Sequence, residues 1–155
     1  MKKAILILLL ASQLPACINI DQYEKTVQIP AQKWFYNNTP SFTFTITDTS
    51  SQYNIYVVLR HTDEYNYSNI WLHLGTKFPG DTLRYQNINL KLANDAKGWD
   101  GTGMGDIFEV RKNISQGPFS FRKSGDYTFT AAQIMRENPL QHIMNIGIRV
   151  EKVKL

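Results

Sequence analysis

Alternation of apolar and polar side chains is the dominant pattern along this chain. Residues 41–47 read Ser-Phe-Thr-Phe-Thr-Ile-Thr, so Phe42, Phe44 and Ile46 fall on one side and hydroxyl groups on the other. Successive side chains of a β-strand point to opposite faces, whereas an amphipathic helix repeats its apolar positions every three or four residues. The segment therefore predicts a strand with one face in a core.

The same two-residue period recurs along most of the remaining chain. We expect Tyr53, Ile55, Val57 and Leu59 to point inward from residues 53–61, and Ile70, Leu72 and Leu74 from residues 69–74. The last strand, residues 143–153, should bury Met144, Ile146, Ile148 and Val150. Shorter strands are expected over 83–85, 88–92, 107–112, 118–121 and 126–135, the last of these turning into a short helix at its end.

Turn residues separate these segments every eight to twelve positions, as at Pro79-Gly80-Asp81. No alternation of strand and helix suggests a parallel sheet. About eight to ten strands with this spacing predict an all-β fold, an antiparallel β-sandwich of jelly-roll type.

The N-terminus has the layout of a signal peptide. Lys2 and Lys3 precede an apolar run over residues 4–11, which is too short to span a bilayer permanently. Leu14-Pro15-Ala16-Cys17 follows and resembles the bacterial lipobox, with Pro15 departing from the usual Ala or Ser. This resemblance implies cleavage between Ala16 and Cys17 and a lipid on the Cys17 thiol. We expect a signal peptide over 1–16, an acylated cysteine and short tether over 17–25, and a β-sandwich domain over 26–155.

Composition narrows the classes of function. The formal net charge is +4, but loss of Lys2 and Lys3 leaves fifteen basic against thirteen acidic side chains, mixed along the chain. Nucleic-acid binding needs basic residues clustered on one face, so we expect no nucleic-acid partner. Cys17 is the one cysteine, which excludes an internal disulfide and a cysteine-based metal site.

Two segments carry candidate chemistry. The polar loop 61–69 runs into Trp71 and His73, and Tyr65, Tyr67, Trp71 and His73 are candidates for an exposed partner or glycan surface, with Trp99 as a further member. The alternative is that these residues only cover the second face of a sandwich edge. The Gly-rich segment 94–106 is expected to be a loop pinned by Trp99. Its alternative is a hard-cation site with oxygen ligands from Asp95, Asp100 and Asp106.

Catalytic patterns are weak. His61, His73 and His142 are scattered without the spacing of metal ligands, and no nucleophile elbow is present. A glycoside hydrolase with paired carboxylates is the remaining enzyme class, and no spacing in the sequence singles out such a pair. We therefore expect a protein that is not an enzyme and needs no cofactor and no metal.

Four blocks of sequence, in this order, resemble the GldH family of gliding-motility lipoproteins. They are residues 53–72, residues 99–107 (Trp-Asp-Gly-Thr-Gly-Met-Gly-Asp-Ile), residues 124–136 and residues 146–152. The resemblance implies a lipoprotein of Bacteroidetes-type gliding bacteria, needed for movement over surfaces and linked to type IX secretion. No catalytic residue is carried over from the family.

These observations give a leading hypothesis and an alternative. The leading hypothesis is a lipid-anchored interaction subunit that binds other envelope proteins of the gliding and secretion apparatus. The alternative is a carbohydrate-binding lipoprotein that uses Tyr65, Tyr67, Trp71 and Trp99. Residues 18–21 lack the acidic run of surface lipoproteins in that phylum, so we expect the periplasmic face of the outer membrane, with the inner membrane or the cell surface as alternatives.

Overall fold

A computed structural model describes residues 22–154 and consists almost entirely of antiparallel strands. One short 3-10 turn, Pro30–Gln32, lies among them. The strands are β1 (Gln22–Gln28), β2 (Lys33–Trp34), β3 (Ser41–Ile46), β4 (Tyr53–Thr62), β5 (Asn69–Lys77), β6 (Arg84–Lys91), β7 (Ala93–Asn94), β8 (Gly98–Trp99), β9 (Thr102–Met104), β10 (Ile107–Asn113), β11 (Gly125–Gln133), β12 (Leu140–Gln141) and β13 (Ile143–Lys152).

Two sheets form the sandwich. One has the strand order β1-β13-β4-β10-β9 and the other the order β3-β11-β5-β6. If only the eight long strands are numbered along the chain, the sheets read 1-8-3-6 and 2-7-4-5. This is the strand order of a double-sheet jelly roll, so the predicted all-β antiparallel sandwich is confirmed.

The alternating residues fill the space between the sheets. Phe42, Phe44 and Ile46 of β3 are buried, and so are the predicted inward residues of β4 and β5. Burial of one such side chain contributes roughly 1.5–3 kcal/mol relative to exposure. Trp34 of β2 is also fully buried, and its indole N–H donates to the Asn38 carbonyl over 2.8 Å.

The last strand differs from its predicted pattern at one point. Pairing between β13 and β4 shifts register between Ile143 and Asn145, which marks a β-bulge. Because of the extra residue, Ile143 is buried and Met144 is only half-buried. The prediction that Met144 lies in the core is therefore wrong, while those for Ile146, Ile148 and Val150 are confirmed.

Four further segments differ from expectation. Residues 22–25, which the sequence assigns to the tether, belong to β1. They pair with β13, where Gln22 lies opposite Glu151. The Gly-rich segment is not wholly a loop: β7 and β8 form a hairpin there, and β9 pairs with β10. Residues 118–121 make only an isolated bridge between Tyr53 and Phe119, and β11 is not followed by a helix within the described chain.

The antiparallel arrangement gives the sandwich two distinct ends. The Gln22 end carries the start of β1, the end of β13, and the loops 47–52, 78–83 and 114–124. The distal end carries residues 29–40, 63–68, 92–106 and 134–142. Residues 17–21 join the chain at the Gln22 end, and Cys17 itself lies outside the described residues.

An ionic network ties β1 to its sheet. Glu24 binds Arg149 of β13 at 2.7 Å and Arg111 of β10 at 3.3 Å, and Arg111 also binds Glu109 at 2.7 Å. Partial burial raises the pKa of the Glu24 carboxyl, but hydrogen bonds and attraction from the two guanidinium groups outweigh that effect and lower it. Each partly exposed ion pair of this kind contributes modestly to stability, and the contribution is larger when several pairs form a network.

Candidate partner-binding surface

The five side chains predicted to share one surface fall into two groups. Trp71 and His73 project from β5 onto the outer face of the four-stranded sheet, because they alternate with the buried Ile70, Leu72 and Leu74. Tyr65, Tyr67 and Trp99 instead lie at the distal end, against the other sheet. The prediction of a single surface that joins all five is therefore wrong.

An aromatic cluster at the distal end accounts for the second group. The ring centroid of His61 lies 4.5 Å from Trp99, 5.5 Å from Tyr65 and 5.8 Å from Phe108. Tyr65 is 3% exposed, so the expectation that it offers a free ring to a ligand is wrong. Its hydroxyl donates to the Asn69 carbonyl over 3.0 Å. Burial raises the pKa of Tyr65, and the nearby Tyr67 and Glu137 raise it further.

Trp99 holds the Gly-rich segment against this cluster. It is half-buried and packs on His61 and Phe108 rather than facing solvent. Asp100, one of the proposed cation ligands, binds Lys112 at 2.6 Å, and this contact lowers the pKa of the Asp100 carboxyl. Among residues 22–154, no group of three or more His, Cys, Asp or Glu side chains could hold a metal ion.

The outer face of the four-stranded sheet holds a groove of about 530 Å³ near the distal end. We call this the aromatic groove. Its lining comprises Tyr36, Thr39, His73, Tyr85, Thr130, Ala132, Gln133, Ile134 and Met135. Trp71 stands beside it on the same face of β5, and its carbonyl accepts the backbone N–H of Ile134 over 3.0 Å.

Large apolar side chains around the aromatic groove are unusually accessible. Tyr85 is 56% exposed, Tyr36 46%, Trp71 42% and Ile134 40%. A contiguous set of exposed aromatic and aliphatic groups on a soluble domain typically marks an interaction site. Tyr, Trp and Met are also enriched in protein interfaces.

The walls of the groove are fixed in place. His73 stacks on Tyr85 at 4.7 Å between ring centroids, and the Nδ1 atom of His73 is 2.6 Å from the Asn87 side-chain oxygen. The Tyr36 hydroxyl donates to the Met135 carbonyl over 2.7 Å. Such restraints reduce the entropy that a partner must remove on binding.

A buried glutamine supports the opposite wall. Gln133, 1% exposed, donates from Nε2 to the carbonyls of Trp34 and Glu137, each over 3.1 Å, and accepts the Met135 N–H over 2.8 Å. It therefore joins the 134–139 loop to β2. Together with the hydrogen bonds to Trp71 and Tyr36, this side chain positions Ile134 and Met135.

Sequence reasoning missed Tyr36, Tyr85 and Ile134. The signal for Tyr85 was present, because it has the outward parity of Asn87 and Asn89 in a strand whose Ile88 and Leu90 turn inward. Tyr36 and Ile134 lie in irregular segments, where no period exists to assign a face. Only the packing of residues 35–38 on the 134–139 loop brings them to the groove.

No helix within residues 22–154 is long and apolar enough to cross a membrane.

Comparison with known proteins gives a consistent family. The family model described as GldH lipoprotein matches residues 21–150. A gliding motility lipoprotein GldH homolog of Christiangramia forsetii is 26% identical over 139 residues, covering 85% of this chain and 82% of that protein. Gliding motility lipoprotein GldH of Flavobacterium johnsoniae is 24% identical over 127 residues, or 77% of each chain.

Solved structures give a weaker likeness. The VP2 subviral particle of infectious bursal disease virus has 14% identity and a TM-score of 0.35, covering 87% of this chain and 33% of the viral chain. The Gt strain of the same virus has 11% identity and a TM-score of 0.35, covering 85% and 31%. This chain thus spans about a third of the viral chains, and a TM-score this low supports no conclusion.

Proposed function

The chain belongs to the GldH lipoprotein family, and from that premise we propose that it is a non-catalytic interaction subunit of the gliding-motility apparatus and the type IX secretion machinery linked to it. Its relatives are gliding-motility lipoproteins, so this chain is a lipid-anchored envelope protein. The step proposed here is the way it acts, which is by binding other envelope proteins through the aromatic groove.

We further propose Cys17 as the lipid attachment site and the Ala16–Cys17 bond as the point of signal cleavage. Cys17 is the one cysteine of the chain and follows the lipobox-like Leu14-Pro15-Ala16. Strand β1 begins at Gln22, so the tether is confined to residues 17–21 and reaches at most about 18 Å. The outer membrane, with the domain facing the periplasm, remains the proposed location.

The aromatic groove is the observation on which the binding role rests. It combines exposed Tyr85 and Ile134 in fixed walls with exposed Trp71 beside them, and it lies towards the end of the sandwich away from Gln22. A partner in the envelope can therefore reach it while the lipid holds the opposite end. Aromatic side chains that become buried on binding carry most of the affinity of protein interfaces.

The lining of the groove favours binding over chemistry. Its described residues comprise hydroxyl, amide, thioether, aromatic and alkyl groups, with no carboxylate or thiol among them. His73 is stacked on Tyr85 and bound to Asn87, which fixes the imidazole as part of the wall.

Crosslinking in cells tests the proposal. Wild-type protein should capture proteins of the gliding or secretion apparatus, and a Trp71→Ala/Ile134→Ala variant should lose most of this capture and reduce spreading of colonies. Met104→Ala is a suitable control, because Met104 is 85% exposed in β9 and lies away from the groove. Normal spreading and unchanged crosslinks in the double variant would refute the proposed interface.

A carbohydrate ligand is the second candidate, supported by the accessible rings of Tyr36, Trp71 and Tyr85. It no longer rests on Tyr65, which is buried. Aromatic faces can stack on sugar rings, and the nearby hydroxyl groups of Thr39 and Thr130 can accept and donate hydrogen bonds. Binding on a glycan array that disappears in Trp71→Ala would favour this candidate, and no binding to any polysaccharide would remove it.

A further inference from the structure

A second cavity, of about 480 Å³, opens at the Gln22 end between the 78–83 and 114–124 loops. Its floor is a continuous aromatic cluster. Between ring centroids, Phe121 lies 4.6 Å from Tyr127 and 5.0 Å from Phe119. The Phe78 centroid lies 5.2 Å from that of Tyr127. Phe121 and Tyr127 are buried, whereas Phe78 and Phe119 are partly open to the cavity. This aromatic floor belongs neither to the aromatic groove nor to the distal cluster.

Basic side chains form part of the rim. Arg122 and Lys123 line the cavity and are exposed. Within the described chain, no carboxylate lies at salt-bridge distance from either of them. Asp81 also lines the cavity, but its single negative charge leaves the rim with a net positive charge from Arg122 and Lys123. The site therefore joins an apolar floor to two cations without described ion-pair partners.

The exposed charges of the described residues are distributed unevenly between the two ends. Near the Gln22 end, exposed basic residues exceed the acidic Asp81 and Asp126, and Asp48 is bound to Lys152 at 2.7 Å. These exposed basic residues are Lys77, Arg84, Arg122, Lys123 and Lys154. At the distal end the exposed charges balance, with four basic and four acidic side chains. They are Lys33, Lys91, Lys97 and Arg136 against Asp63, Glu64, Asp95 and Asp106.

The course of the chain determines which end meets the membrane. Gln22 is the first residue of β1, and only residues 18–21 separate it from the proposed acylated Cys17. A lipid at Cys17 therefore keeps Gln22 within roughly 18 Å of the headgroup region. The Gln22 end, with its excess of exposed basic side chains, is thus brought to the bilayer, and the distal end points away from it.

We propose that the Gln22 end rests on an anionic bilayer, with the phosphate of a lipid headgroup bound by Arg122 and Lys123 and the adjoining apolar part of the lipid against Phe78 and Phe119. This inference rests on the proposed anchor at Cys17. The contact orients the domain so that the aromatic groove faces away from the membrane. Each basic side chain near an anionic surface contributes about fivefold to binding.

Depth-dependent fluorescence quenching tests the contact. A Ser120→Trp variant places an indole on the rim, because Ser120 is exposed and lines the cavity. The native Trp34, Trp71 and Trp99 lie in the distal half and supply the background signal. The acylated full chain is purified from its own membranes and reconstituted into vesicles that contain brominated lipid, either neutral phosphatidylcholine or a mixture with about a third phosphatidylglycerol.

The expected result is strong quenching of the Ser120→Trp signal in anionic vesicles and weak quenching in neutral ones. Adding Arg122→Gln and Lys123→Gln should lower the population of the contacting orientation by roughly 25-fold, which returns quenching to background. Lys33→Gln/Lys97→Gln removes the same charge at the distal end and should leave the quenching unchanged. Raising the salt concentration should weaken the contact, because the surface charges are screened.

Flotation of the same vesicles separates this inference from the proposed anchor. Protein that floats but shows no anionic-specific quenching would overturn the membrane contact while leaving the anchor intact, and the basic end would then be free for a protein partner. Quenching that is insensitive to Arg122→Gln/Lys123→Gln would also overturn it. Protein that fails to float would remove both the anchor at Cys17 and the orientation derived from it.

Discussion

The imidazole of His73 and the ring of Tyr85 are stacked face to face, 4.7 Å apart with 7° between their planes. The two residues occupy neighbouring antiparallel strands, and Tyr85 lies opposite Gly75 in the pairing of β5 with β6. Glycine leaves the sheet surface open at that point, so the Tyr85 ring can lie across it towards His73. One wall of the aromatic groove therefore depends on the presence of glycine at position 75.

Gly75→Ala should disrupt this stacking. A Cβ atom at position 75 would overlap the Thr130 hydroxyl and approach the Tyr85 ring to 2.9 Å, so the ring must move. NMR should show that the ring-current shifts of the His73 protons are lost, as they should be in Tyr85→Leu. Unchanged His73 shifts in Gly75→Ala would show that the groove wall does not depend on Gly75.

Gln133→Leu should destabilise the domain by about 2–3 kcal/mol, because it leaves the Trp34 and Glu137 carbonyls and the Met135 N–H without their partner. Urea unfolding measures the change. Gln86→Leu is the matched control in exposed β6 and should alter the free energy of unfolding by no more than about 0.5 kcal/mol. Equal effects of the two substitutions would contradict the supporting role of Gln133.

Gly101→Ala should be among the most damaging substitutions in the Gly-rich segment. Gly101 has φ of +90°, and an added Cβ would overlap the backbone carbonyl oxygen of Glu109. We expect a loss of about 2–4 kcal/mol in the free energy of unfolding. Gly98→Ala shares a positive φ of +76° but meets open space, so it should cost only about 1 kcal/mol. Thermal or urea unfolding of the two variants would show the difference.

His61 should make the stability of the domain depend on pH. It is buried, its Nδ1 atom donates to the Thr62 carbonyl over 2.7 Å, and its Nε2 atom has no partner within the described chain. Burial lowers the pKa of His61, although the bond to Thr62 opposes the change. The unfolded chain therefore binds a proton more readily, so stability is complete above the ordinary pKa of 6.5 and falls as the pH drops from there towards the folded value.

Unfolding titrations at about pH 7.5, 6.5 and 5.5 would measure this dependence. His61→Phe keeps an aromatic ring in the cluster and should flatten the decline in stability over that range. His142→Gln, at a half-buried position 3.4 Å from Glu64, retains His61 and should keep the decline. An equally steep decline in His61→Phe would mean that another group controls the acid sensitivity.

The sequence by itself determined the class of fold, most core residues and the family. Alternation in β3, β4 and β5 specifies which side chains face inward, because the period of a strand is local and leaves only two choices. The outward positions of Trp71 and His73 followed from the same parity. The lipobox-like segment and the four blocks that resemble the family are likewise read directly along the chain.

Tertiary structure alone decided where the surfaces are. Tyr65 is buried because Trp99, which is distant in sequence, packs against it together with the neighbouring His61. The bulge between Ile143 and Asn145 changes which face of the sheet the preceding residues occupy, and no local sequence pattern predicts it. The groove joins residues 36, 73, 85 and 134, and the basic cavity joins residues 78, 119 and 122. Contacts between remote segments follow from the jelly-roll order of the strands, which a two-residue period cannot encode.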